Sequence, residues 1–318
     1  MFSKVSIIIP VYNGANYLKD AIDSALAQTY KNIEILVVND GSKDDGETEK
    51  VALAYGDKIR YFKKENGGVS SALNMGIRNA EGEWISWLSH DDIYTPEKIE
   101  RQMKDVEKVR DSGEDYLRVL YYCEGGFMDA NRKIISRKTR KLQKGIHLSN
   151  DVLIKMFMGY GIGGCGLLMP KKLFLEVGFF DETMRYMQDV FMWEKAFLSG
   201  YKLFVNPEVM SITRIHNKQV STTSKELGLI DREKVGMYLA ENLGDIVDSN
   251  GKSIIKQYLC FCMRNNSTNI GNIIFTKLKE EKKINVLEKM FVHVMAAYGY
   301  FRKFVSKGYY RIRFGVKR

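Results

Sequence analysis

The sequence predicts an α/β protein: a Rossmann-like, mostly parallel sheet flanked by helices. Three observations carry that prediction. Val5–Ile9, interrupted only by Ser6, and Ile33–Val38, interrupted only by Glu34, are apolar runs, the pattern of strands covered on both faces. The segments between such runs space their apolar residues as a helix does. The connections are short and rich in Gly, Asn and Asp, so strand and helix alternate as they must in a wound parallel sheet.

The elements follow in order. "VSIII" opens the sheet, and "NYLKDAIDSALAQ" places Leu18, Ile22, Ala25 and Leu26 on one helical face. "IEILVV" is a second strand stopping at "NDGS", and "DDGETEKVALAYG" a helix closed by Gly56. Ile59–Phe62 is a short strand, "VSSALNMGIRNA" a helix entered through Gly67-Gly68, and Glu83–Leu88 a fourth strand. Thr95 reads as an N-cap with Pro96 at the first helical position, opening "PEKIERQMKDVEKV". After Asp115 the alternation loosens: "YLRVLYYC", "RKIISR" and "VMSITRIH" read as strands, "LSNDVLIKMFMG" and "MQDVFMWEKAFLSG" as helices. The glycine-rich "YGIGGCGLLMP" lacks phosphate-loop spacing and reads as close backbone packing or a substrate channel.

A chain of 318 residues with 45% hydrophobic content can bury one large or two smaller cores. The expected division is 1–225 for the main domain, split into halves 1–115 and 116–225, and 226–318 for a helical, basic C-terminal region. Four scattered cysteines match neither a disulfide framework nor a Cys-x-x-Cys zinc pattern, so they read as reduced thiols of a cytoplasmic protein. No run of about 18 apolar residues predicts a spanning helix. Residues 251–318 hold 15 basic and 3 acidic side chains, against 34 and 36 in residues 1–250. The positive charge is therefore a property of the tail, whereas a nucleic-acid-binding fold would spread it over its body; no nucleic-acid partner is expected.

Three polar clusters fall at predicted strand ends: "PVYNG", "NDGS" and "SHDD". Wound sheets bind ligands beyond the carboxyl ends of their strands, so these clusters mark one rim. Asp91 and Asp92 are adjacent, and neighbouring like charges raise the pKa of one unless a cation intervenes. The pair asks for a metal, a basic ligand group, or an edge where water screens both.

"VSIIIPVYNGANYLKDAIDSALAQTYKNIEILVVNDGSKD", continued by "ENGGVSSALNMGIRNAEGEWISWLSHDD", resembles the family 2 glycosyltransferases, which adopt the GT-A fold. The likeness is dense over roughly residues 4–105 and sparser to about 225. It implies a nucleotide-sugar donor, UDP-linked by expectation, a divalent metal (Mn²⁺ or Mg²⁺), and transfer with inversion to a glycan or lipid-linked glycan in surface polysaccharide synthesis. By the resemblance, Pro10, Val11 and Tyr12 lie against the base, Asp40 contacts base and ribose, and Asn66 lines the nucleotide site. Asp91 approaches the ribose and donor, Asp92 holds the metal, Asp189 in "MQDVFMW" is the base, and His216 in "RIHNKQVS" reaches the metal or diphosphate. Departures are Asn39 and Ser89 where the family often has Asp, Gln188 where it usually has Glu, and Leu73 where Arg is frequent. A catalytically silent nucleotide-sugar-binding or scaffold subunit is the alternative from another class.

The residue types suit the chemistry. A sugar–diphosphate bond leaves a doubly charged group that a divalent cation offsets, and hard cations take oxygen ligands from one or two carboxylates plus phosphates and water. His216 as an added ligand favours Mn²⁺; on its own it reads equally as a hydrogen-bonded strand-end histidine, and His90 as a packing residue. Asp189 read alone is a helix N-terminal carboxylate; read with the resemblance it takes the acceptor proton. The tail, "NVLEKMFVHVMAAYGYFRKFVSKGYYRIRFGVKR", mixes apolar and basic residues as a helix lying on an anionic membrane does, at the inner face of the cell membrane, or as a helix packed on the main domain with a solvated basic edge does.

Overall fold

The computed structural model describes residues 3–135, 142–216, 225–265 and 267–314, and resolves into two compact units. The first comprises residues 1–152 and 161–231; the second comprises 153–160 and 232–318.

The first unit is built on a ten-stranded sheet, with β3-β2-β1-β4-β9-β6-β10-β5 as its main path. The chain lays down β1 (Val5–Val11), α1 (Leu18–Leu26), β2 (Ile33–Asn39), α2 (Glu47–Leu53), β3 (Arg60–Lys63), α3 (Val69–Asn79) and β4 (Trp84–Trp87). The expected parallel sheet is this half: β3, β2, β1 and β4 run parallel, with Val11 beside Asn39 and Ile8 beside Trp87. Every residue of β1 and β4 is buried, which is why neither alternates. The core gathers Ile7, Ile9, Leu18, Ile22, Val37, Trp84 and Leu88.

Beyond β4 the sheet becomes mixed. β5 (Ile93–Tyr94) is followed by α4 (Lys98–Asp111), β6 (Val119–Met128), β7 (Ile134–Ile135), β8 (Gly145–His147), α5 (Ser149–Phe157), β9 (Leu167–Pro170), α6 (Lys172–Glu176), α7 (Gln188–Leu198) and β10 (Lys202–Arg214). β9 runs antiparallel to both β4 and β6, while β6 and β10 are parallel. The glycine-rich segment before β9 packs closely, as anticipated: a Cβ on Gly164 would stand 2.2 Å from the Trp87 ring. Part of the expected "RKIISR" strand, residues 136–137, lies outside the described residues.

The helix anticipated from Thr95 and Pro96 begins at Lys98 instead. Tyr94 pairs with Ser211, and Thr95 N donates to Met210 O, so Thr95 still belongs to the sheet and only the following turn enters the helix.

The second unit is helical, with Ile254–Arg264, Thr268–Glu280 and Val286–Phe314 following the end of Lys225–Asn242. Ile254, Ile255, Tyr258, Leu259 and Cys262 supply its buried face, and Phe157 packs on Tyr258 at 4.5 Å. Among the described residues no helix is long and apolar enough to cross a membrane. All four cysteines are free.

Candidate active site

The parallel register ends β1 and β2 level, and the chain beyond β4 continues from beside Ile8 to set His90 against Gly14, so the three polar clusters meet on one rim. Pro10 and Val11 close β1, both buried; Tyr12 follows, 43% exposed. Val11 O accepts from Asp40 N, tying the first cluster to the second.

Asp40 is 3% exposed and its carboxylate is fully engaged. It accepts from Gly67 N (2.9 Å), Gly68 N (2.7 Å), Asn66 Nδ2 (3.1 Å) and Lys64 Nζ (2.9 Å). A carboxylate offers about four acceptor sites, so the loop after β3 uses them all. The side chain anchors the 64–68 loop, and Asn66 is part of the anchorage. Arg185 NH1 donates to Gly67 O at 2.9 Å, bringing the segment before α7 to the same loop.

The third cluster is assembled by β10. β10 and β5 are antiparallel, pairing Ile212 with Ile93, so the residues beyond β10 reach the Asp91–Asp92 turn. Arg214 N donates to Asp92 Oδ1 at 3.0 Å, and His216 Nε2 lies 3.0 Å from Asp91 Oδ2. The rest of "RIHNKQVS", residues 217–221, lies outside the described residues. Of the two adjacent aspartates, His216 therefore meets Asp91. Asp92, 5% exposed, turns inward, its Oδ2 near Cys165 Sγ at 3.4 Å and Thr213 Oγ1 at 3.5 Å. Burial, reinforced by the Asp91 charge, pushes its pKa up to about 8. His90 packs over Gly14, and burial lowers its pKa.

Sequence reasoning missed Arg214 as a site-building residue, although it opens the quoted "RIHNKQVS". Its side chain, 1% exposed, donates to Asp91 O (3.0 Å), Ala130 O (3.0 Å) and Asp20 Oδ2 (2.8 Å) and stacks 4.4 Å above Tyr17. One buried guanidinium therefore fixes the turn that carries both aspartates.

Asp189 opens α7 and accepts from Val190 N at 2.8 Å. Burial of its carboxyl pushes the pKa up to about 6. α7 is placed by Trp193 against Phe180 (5.9 Å) and Phe180 against Trp87 (6.0 Å), so it packs on the strand leading to Asp91. The turn before it is held by Asp231, a second residue sequence reading did not single out: its Oδ2 accepts from the backbone N–H groups of Arg185, Tyr186 and Met187 at 2.9, 2.6 and 3.0 Å. No sequence spacing announces such a long-range cap.

Among the described residues no three His, Cys, Asp or Glu side chains form a metal cluster. The Asp91–His216 pair nonetheless fits a divalent ion. The two side chains are in direct hydrogen-bond contact at 3.0 Å, and two octahedral ligands at about 2.1 Å and at right angles would stand about as far apart. An oxygen and an imidazole nitrogen suit Mn²⁺.

The family 2 glycosyl transferase model matches residues 6–171. The chain belongs to the family 2 glycosyltransferases. It is 52% identical over 219 residues to an uncharacterised glycosyltransferase of Rickettsia conorii, a match covering 68% of this chain and 35% of that protein. The chain thus spans about a third of that relative's length. The minor teichoic acid biosynthesis protein GgaB of Bacillus subtilis is 34% identical over 45% of this chain and 16% of its own. Among solved structures, Staphylococcus aureus TarS 1–349 in complex with UDP-GlcNAc aligns with a TM-score of 0.64 at 17% identity, covering 92% of this chain and 79% of that one. That likeness bears on the fold: this family 2 member has the α/β architecture of TarS.

Proposed function

We propose that the chain transfers a sugar, with inversion, from a UDP-sugar to a hydroxyl of a glycan or lipid-linked glycan during surface polysaccharide synthesis, using Mn²⁺ or Mg²⁺. The observation that carries the reading is the Asp91–His216 pair at 3.0 Å, set by β10 on the rim where β1 and β2 also end. The UDP-GlcNAc complex of the TarS neighbour and the teichoic acid role in GgaB's name support the donor and the acceptor class.

Asp91 and His216 would hold the cation; Asp92 lies behind them, held by Arg214 N, and orients the turn. When bound, the ion would offset the charge developing on the diphosphate. The anchored 64–68 loop and Tyr12 border the space for the nucleotide, with Asp40 keeping the loop closed rather than touching the base. Asp189 takes the acceptor proton as its oxygen attacks the anomeric carbon from the face opposite the diphosphate. A carboxyl titrating near 6 is ionised at neutral pH yet basic enough for that task.

The test is a panel of UDP-sugars with Mn²⁺, read as UDP release and as the anomer formed. The expected result is metal-dependent turnover abolished by Asp91→Asn and Asp189→Asn, with product of inverted configuration. Donor binding without turnover on any acceptor would make the chain a silent nucleotide-sugar subunit, and a retained anomer would overturn inversion.

A further inference from the structure

The helix Val286–Phe314 carries an apolar face that its own unit leaves uncovered. Leu287 is 77% exposed, Met290 62%, Phe291 53%, Val294 59%, Tyr298 46% and Phe301 64%. At about 100° per residue these six fall within an arc of about 100°. The opposite face is the packed one. Val292 is buried, and Glu288 pairs with Lys256 at 2.8 Å. Gly299 lies so close to the end of Ile254–Arg264 that a Cβ there would stand 2.4 Å from Met263 O. These contacts fix the rotation of the helix, so the apolar arc faces away from its unit by construction. His293 lies on one side of the arc and Arg302 borders it on the other.

We propose that this arc is a docking face for an anionic lipid surface, with the helix lying along the headgroups. The charge selects the occupant. Residues 251–318 carry 15 basic and 3 acidic side chains. A second copy would bring two such segments together, whereas anionic headgroups neutralise them. The apolar arc enters the acyl boundary while the flanking cations stay at headgroup level. No helix among the described residues can cross the bilayer, so the contact is parallel to the surface.

The test is co-sedimentation of the full chain with vesicles of phosphatidylcholine alone or with phosphatidylglycerol added. Binding should be at least about tenfold stronger on the anionic vesicles and should weaken in high salt, because exposed charges are screened within a Debye length. Phe291→Glu with Val294→Glu should abolish sedimentation with an unchanged circular dichroism spectrum, and Arg302→Glu should weaken the preference for anionic lipid. Equal binding to both vesicle types, no binding to either, or a dimer in solution dissolved by the Phe291→Glu/Val294→Glu pair would each overturn the proposal. Vesicle binding is read without donor or acceptor, so this outcome is independent of the reaction proposed above.

Discussion

Removing the Asp20 carboxylate should destabilise the fold by about 3 kcal/mol, although Asp20 touches no expected ligand. Arg214 is 1% exposed, and Asp20 Oδ2 at 2.8 Å is its anionic partner within the first unit. Breaking a buried pair by deleting one partner costs about 3–5 kcal/mol because the other charge stays desolvated. Two features put the cost at the low end. Arg214 keeps its bonds to Asp91 O and Ala130 O. Water can also reach the site, because Asp20, Arg132 and Arg214 line a cavity of about 790 Å³. Asp20→Asn retains an acceptor and should cost about 1–2 kcal/mol, within the range for hydrogen bonds to charged groups. The internal control is Arg132→Ala. Arg132 also pairs with Asp20, but its side chain is 64% exposed, and exposed pairs contribute about 0–1 kcal/mol. Urea denaturation of the three variants, followed by fluorescence, reads the midpoints at constant slope. Because Arg214 N also holds Asp92, Asp20→Ala should in addition weaken the response of thermal stability to Mn²⁺. An Asp20→Ala cost below about 1 kcal/mol, no larger than that of Arg132→Ala, would show that the buried guanidinium does not depend on this carboxylate.

The remaining predictions concern three other carboxylates. Glu194 is 4% exposed, its Oε2 has no hydrogen-bond partner among the described residues, and burial pushes its pKa up to about 8. The folded chain therefore holds a proton that the unfolded chain, titrating near 4.5, has released; stability is full below about 4.5 and falls by up to about 1.4 kcal/mol per pH unit as pH rises toward 8. Glu194→Gln should flatten that slope, and urea midpoints with the same pH dependence in both proteins would count against it. For Asp189, turnover should rise with pH through an apparent pKa near 6 and fall about tenfold per unit below it, while Asp189→Asn loses about 10²–10⁴ in kcat; a flat profile from pH 5 to 8 would exclude it as the titrating base. Asp231→Ala should speed hydrogen exchange at the amides of residues 185–187 and lower kcat more than it raises KM, since it frees three N–H groups upstream of Asp189. Unchanged exchange there would mean the turn is held by other contacts.

The half of the fold that sequence made legible is the half governed by local pattern. β1 and β4 are buried throughout and β2 over its last five residues, and the Val- and Ile-rich β1 and β2 read as strands from their composition. The other half depends on partners far away in the chain. β5 has two residues and exists because β10 pairs with it; nothing in "IY" alone signals a strand. Thr95 was misleading for the same reason, since Ser/Thr before Pro caps a helix only when its backbone is not claimed by a sheet. In the site, residue types were legible and their pairings were not. Asp40, Asp91, Asp92, Asp189 and His216 all stand on elements that reach the rim. Yet which carboxylate meets His216, and that Asp40 is consumed by its own loop, follow from register and from donors on other segments.

Adjacent carboxylates in the turn between β4 and β5 receive opposite environments because different segments meet each of them. Asp91 and Asp92 show the result. Asp91 faces His216, with a side-chain exposure of 14%, while Asp92 turns into the sheet toward Arg214 N, Thr213 and Cys165. The repulsion that the sequence raised is thereby resolved unevenly, with the inner carboxyl carrying the raised pKa and the outer one presented to the rim. Arg214 is the hinge of this arrangement. Its backbone faces the inner carboxyl and its guanidinium holds the main chain of the outer one, so a single β10 residue converts two identical side chains into one buried and one rim-facing group. Ser89, which replaces the carboxylate often found there in the family, fits this division of labour: its hydroxyl lies 3.3 Å from Cys165 Sγ, on the inner side with Asp92. A third charge at that position would crowd the buried carboxyl, so Ser89→Asp should lower stability at neutral pH, and the loss should shrink as pH falls and the buried acids take up protons. A stability loss that is the same at pH 5 and pH 8 would show that the cost is steric and that charge has no part in the choice of serine.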